Sequence, residues 1–109
     1  MSAYETLMAA RSLIANPESW TQGVYARDEK GKQTGVWDAN AVCLCSIGAI
    51  AKAANSHLAN PIPHPVKIAL EKCGIKNCID LVSFNDSHTH AQIIALFDRA
   101  IAAAETQEK

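Results

Sequence analysis

The sequence predicts a mainly α fold with one small β-hairpin (α+β), four to five helices around one core. Three observations carry that expectation. Two capping boxes, S-x-x-E at Ser2–Glu5 and T-x-x-Q at Thr89–Gln92, each open an apolar periodic run. Between them the stretch "WTQGVYARDEKGKQTGVWD" is rich in residues that favour extended structure and holds a D-E-K-G turn signal. At 109 residues the chain fits one domain, 1–109, large enough to bury a core without metal or disulfide staples.

The elements follow in order. Residues 3–15 read as a helix with Tyr4, Leu7, Met8 and Ile14 on its core face and Leu13 beside them. Pro17 stops it, because the residue before a proline disfavours the α conformation. A hairpin is expected at about 21–37, pairing 21–27 with 33–37 across Asp28–Gly31, with Trp20 and Trp37 filling its contact with the helices. A lone hairpin is marginal in water, so it must pack on those helices.

Asp38 is a good N-cap for a helix running to about Asn55, with Val42, Cys45, Ala49 and Ala53 on one stripe. Gly48 and Ala49 offer a small-residue face, for a homodimer or for the chain's own core. "NPIPHP" is a stiff connection, and Pro65 suits the first turn of a helix 65–73 that buries Val66, Ala69, Leu70 and Cys73 before Gly74 ends it. Asn77 with Asp80 favours helix over strand for the stretch up to Phe84, and Asn85–Asp86 read as a turn. The last helix presents Ile94, Phe97 and Ile101, with Ile93 beside them, and residues 104–109 form a frayed tail.

Bulk properties exclude some function classes. The net charge is −1, and both signs are spread along the chain. No basic stripe exists to track phosphates, so nucleic acid is not an expected partner. Lys52, Asp98 and Arg99 interrupt the alanine-rich runs, so no membrane span is expected. The N-terminus lacks a signal-peptide pattern, and cysteines at 43, 45, 73 and 78 match no disulfide framework. A cytoplasmic location with free thiols is the expectation.

Two constellations bear on chemistry. Cys43 and Cys45 with His88 and His90 have zinc-ligand chemistry, as a zinc-binding module would. On a helix, however, residues two apart diverge by about 200°. A cysteine-dependent hydrolase or transferase is the second reading: Cys45 as nucleophile, His88 as base, Asp86 as orienter. It requires a lowered thiol pKa, whereas the expected helix puts Cys45 on its packing face. Arg27–Asp28 is either a solvated pair worth under ~1 kcal/mol or a guanidinium for an anionic group. No phosphate-loop pattern is present and no cofactor is expected.

The ordered segments "ESWTQGVYARDEKGKQ", "AVCLCSIGAI" and "FND...THAQIIALFDRAI" resemble a family of small bacterial and bacteriophage proteins without an established activity. The resemblance covers roughly residues 10–103. Its pattern includes Cys45 but neither Cys43 nor the histidines. Leu44 and Phe84 stand where the family usually has an aromatic residue and a tryptophan. The resemblance implies a small helical domain with a hairpin, often encoded on phage or mobile DNA. The resulting expectation is a non-enzymatic binding protein, host-modulating or anti-defence in role, that contacts a protein partner or a small anionic ligand. Its contact set is Gln22, Arg27, Asp28, Asn85, Asp86 and Thr89, provided the fold brings the hairpin to residues 85–89.

Overall fold

The computed structural model describes residues 2–107. Helix α1 (Ala3–Leu13) opens with the Ser2–Glu5 capping box in both directions. Asn16 caps a short 3-10 turn, Pro17–Ser19. Three two-residue strands follow: β1 (Ala26–Arg27), β2 (Gln33–Thr34) and β3 (Cys43–Leu44). They form an antiparallel sheet in the order β2-β1-β3. Helices α2 (Ser46–Ala54), α3 (His64–Glu71), α4 (Cys78–Ser87) and α5 (His90–Gln107) complete the fold.

The long α5 is the spine. It opens with the Thr89–Gln92 capping box and buries Ile93, Leu96, Phe97, Ala100 and Ile101. Helices α1 and α3 pack on it, α2 packs on α1, and α4 packs on α2. Leu7, Ile14, Ile50, Leu70 and Leu81 fill the centre. One ion pair, Arg11 Nε to Asp98 Oδ1 at 2.6 Å, ties the exposed sides of α1 and α5. Helix α3 ends at Glu71, and in the turn beyond it the positive φ of Gly74 lets Ile75 N–H reach back to Leu70 O. Residues 108 and 109 of the expected frayed tail lie outside the described residues. Before them α5 continues to Gln107, whose amide donates to Pro65 O.

Several expectations need correction. The hairpin is much shorter than 21–37: only 26–27 and 33–34 pair, and Trp37 is 52% exposed instead of packed. Asp38 does not cap a helix. Its carboxylate accepts from Asn40 N in a local turn, the competing use of a short acidic side chain. Residues 43–44 then pair with β1, with Ala26 opposite Leu44 and Arg27 opposite Cys43. This tertiary pairing outweighs local helix propensity, and α2 begins only at Ser46.

Cys45 is therefore the N-cap of α2 and not an interior residue. Val42, expected on the core stripe, is exposed. Asn85 and Asp86 are not a turn but lie inside α4, which runs to Ser87. On α1, Ala3, Thr6 and Ala10 join Leu7 in the interior while Met8 faces out, because alanines fit the close contacts with α2 and α5. Ile94 and Cys73 are likewise only half-buried.

Gly48 has a specific reason. An added Cβ would lie 2.8 Å from Tyr25 O and 3.3 Å from Val36 Cγ2. The first turn of α2 thus presses against the chain entering β1. The small-residue face at Gly48 and Ala49 is buried in the chain's own core.

Candidate functional site

The site grows from one buried amide. Asn77 caps α4 by accepting from Asp80 N, which sets the helix phase and turns Asn85 inward. Asn85 is 1% exposed. Its Oδ1 accepts from Trp20 Nε1 (2.8 Å), Ser46 N (3.0 Å) and Ser46 Oγ (2.6 Å). Its Nδ2 donates to Thr21 O and to Asp86 Oδ1, both at 3.1 Å. One side chain thus joins α4, the start of α2 and residues 20–21. A buried amide with both ends satisfied also fixes its own orientation.

The surrounding polar residues lock the same segment. Gln22 Nε2 donates to Asn85 O and His88 O, both at 2.9 Å, satisfying carbonyls at the C-terminal end of α4. Gly23 N donates to Asp86 Oδ1 (2.9 Å). Arg27 spends all three guanidinium nitrogens within the chain: Nε on Thr21 Oγ1, Nη2 on Gln22 O and Nη1 on Gly31 O. Gln22, Arg27, Asn85 and Asp86 are thereby brought into one network. Asp28 is not part of it, since its carboxylate accepts from Lys30 N and Lys32 N in the β1–β2 turn. Thr89 caps α5.

Gly23, Asn85 and Asp86 of this network line the floor of a cleft of about 330 Å³ between residues 23–25, the start of α2 and α4. Its lining is Gly23, Val24, Tyr25, Gln33, Cys45, Ile47, Val82, Asn85 and Asp86. A second hollow of about 210 Å³ shares Tyr25, Ile47 and Val82 and adds Leu58, Pro61, Cys78 and Ile79. Its apolar walls stand open: Tyr25 is 40% and Ile79 78% exposed.

Cys45 borders the cleft but is only 5% exposed. Burial pushes its thiol pKa up. The Gly48 N–H, 3.4 Å from Sγ, offsets part of this, and the nearby Asp86 charge adds to the rise. A nucleophilic cysteine needs the opposite shift. The structure brings Asp86, but not His88, to the cleft with Cys45. The ring of His88 stacks on Phe84 at 3.7 Å with Nδ1 2.8 Å from Phe84 O, and it faces a separate hollow with Lys76 and Asp80.

The alternative metal set is likewise dispersed. Cys43 Sγ donates weakly to Arg27 O, and His90 Nε2 lies 2.7 Å from Ile14 O, which places a proton on that nitrogen. Among the described residues no group of three or more His, Cys, Asp or Glu is placed to hold an ion.

Over residues 1–103 the chain matches the model described as "Family of unknown function (DUF6197)". The chain belongs to that family. The match spans α1 through most of α5, including every residue of the Asn85 network and the cleft. No curated protein and no solved structure matches the chain. Among the described residues of this DUF6197 member, no helix is long and apolar enough to cross a membrane.

Sequence reasoning missed the apolar half of the site. Tyr25, Ile47, Ile79 and Val82 carry no motif, and only their placement beside Asn85 and Asp86 marks them. Ser46 and Trp20 were legible in principle: a polar residue inside an apolar run, and an indole whose N–H needs a partner once buried.

Proposed function

We propose that this DUF6197 member is a non-enzymatic binding protein that receives a segment of a protein partner in the cleft over Asn85 and Asp86. The observation that carries the reading is an open apolar wall on a rigid polar floor. Tyr25, Val82 and Ile79 are exposed large apolar side chains standing together over the two joined hollows. Contiguous exposed apolar surface of this kind marks interaction sites in soluble proteins. The floor beneath is cross-braced by five hydrogen bonds to the Asn85 side chain, so little ordering is needed on binding.

The protein-partner form is favoured over a small anionic ligand by the fate of Arg27, each of whose three guanidinium nitrogens already donates inside the chain. The raised pKa of the Cys45 thiol favours binding over nucleophilic catalysis. A bacterial or phage origin, a cytoplasmic location and a host-modulating or anti-defence role complete the proposal. They rest on the sequence resemblance and the cysteine pattern.

A photo-crosslinking residue placed at position 79 of the full chain, expressed in its native cell, tests the proposal. One discrete crosslinked protein, absent when the label sits at exposed Leu13, which lines neither hollow, is the expected result. Absence of any product specific to position 79 removes the proposal.

A further inference from the structure

We infer that the segment bound in this cleft carries a lysine or arginine next to an aliphatic residue, a specification that rests on the binding reading above. Among the described residues that line the cleft, Asp86 alone carries a formal charge at neutral pH; the Arg27 guanidinium lies behind Gly23, outside the lining, and donates to Gln22 O and not to Asp86. The adjoining hollow is lined by no charged residue. Both hydrogen bonds that Asp86 accepts, from Gly23 N and Asn85 Nδ2, fall on Oδ1, so Oδ2 is open to a donor. Asp86 is exposed, and its two internal bonds hold it in place at the rim. A partly exposed aromatic ring, Tyr25, borders the same space. A carboxylate and an aromatic face over one apolar cleft suit a cation on a hydrocarbon stem: the charge meets Asp86 and Tyr25 while the methylenes lie on Val82 and Ile47.

The shape selects a protein segment over a free amine. The first cavity lies near the lower end of the range for small-molecule sites, about 300–1,000 Å³, and the second falls below it. Each suits a side chain more than a whole ligand. They meet along Tyr25, Ile47 and Val82. An isolated amine would leave the second hollow, with Ile79 and Leu58 on its wall, still open to water. A cationic residue followed by an aliphatic one covers both.

The test uses the ¹⁵N-labelled full chain at low ionic strength and three capped hexapeptides. One holds an arginine–leucine pair, one citrulline–leucine and one glutamate–leucine. Binding is read from the amide shifts of Tyr25, Val82 and Asp86. The arginine peptide should bind about fivefold tighter than the citrulline peptide, the upper size for an exposed ion pair alone. That preference should shrink with added salt and vanish in Asp86→Asn, whose amide oxygen can still accept from Gly23 N.

Equal affinity for the arginine and citrulline peptides would overturn the inference while leaving a neutral apolar partner, and so the binding reading, in place. Tighter binding of the glutamate peptide would overturn it in favour of an anionic ligand. Binding of arginine amide as tight as that of the arginine peptide would assign the cleft to a small cation. The same amide shifts on concentrating the chain alone would assign it to a second copy. No shift with any peptide also overturns the inference, and the crosslink at position 79 then decides the binding reading independently.

Discussion

Replacing Asn85 with alanine removes the amide that holds α4, the start of α2 and residues 20–21 together. Trp20 Nε1, Ser46 N and Ser46 Oγ lose their acceptor, and Thr21 O loses a donor. Ser46 is fully buried, so water cannot replace the acceptor for its two groups. Each buried unsatisfied group costs about 1–3 kcal/mol. Trp20 is half-buried and recovers part of its loss from solvent. Two Ser46 groups at the lower half of that range, plus the small void left by the amide, give a loss of about 3–5 kcal/mol. That is a large share of the roughly 5–15 kcal/mol that holds a domain folded. Urea unfolding followed by tryptophan fluorescence measures it. With a slope of about 1–3 kcal/mol per molar, the midpoint should fall by about 2 M. Asn85→Asp keeps the Oδ1 acceptor but turns a second oxygen toward Thr21 O and Asp86 Oδ1, so it should fail to restore the midpoint. A drop below about 0.5 M for the alanine variant would refute the claim that this amide braces the cleft.

Three further outcomes are expected. Gly48→Ala should destabilise by about 1–3 kcal/mol, because its Cβ meets a backbone carbonyl and this outweighs the gain of about 1 kcal/mol in helix propensity; thermal unfolding reads the sign. Cys45 should be alkylated more slowly in the folded chain than in urea, as mass spectrometry of its peptide would show. Because its folded pKa is raised, the folded state holds the proton longer than the unfolded one, so stability is full below about pH 8.5 and falls as pH rises through the folded value. The fall should be shallower in Cys45→Ala, with Cys73, also raised, supplying the remainder. Ser2→Ala should move the Glu5 carboxyl only part-way up toward its ordinary range, since the Ser2 backbone N–H, the larger cause of its lowering, remains and only the hydroxyl's contribution is lost; an NMR titration in acid would detect this, and an unmoved Glu5 would contradict the hydroxyl's part in the cap.

The helices were readable where local chemistry decides the outcome. Ser2–Glu5, Asn77–Asp80 and Thr89–Gln92 each form the cap that their spacing predicts. Reading failed where distant pairing overrides local preference. Asp38 looks like a cap in sequence, but β1 recruits residues 43–44 as a third strand and delays α2 to Ser46. That one shift moves Cys45 from a helix interior to an N-cap beside the cleft. Asn85–Asp86 has turn chemistry, yet Gln22 reaches across to bond the carbonyls of Asn85 and His88 at the end of α4, and the helix continues to Ser87. Gln22, Arg27, Asn85 and Asp86 were legible as polar residues that belong together. Their bonds turn out to be mostly with one another, and the surface they build is apolar. Ile79 and Val82 gave no signal, because an exposed aliphatic residue on a short helix is indistinguishable in sequence from a core one.

The affinity of the partner trapped at position 79 for the Val82→Asp chain, measured by calorimetry beside the unaltered chain, bears most directly on the cleft as a binding surface. Val82 is exposed, so the substitution should leave the urea midpoint nearly unchanged. Binding should weaken by about tenfold or more, as when a charge is set in the apolar centre of an interface. Equal affinity for the two chains would contradict the assignment of this cleft as the site of binding.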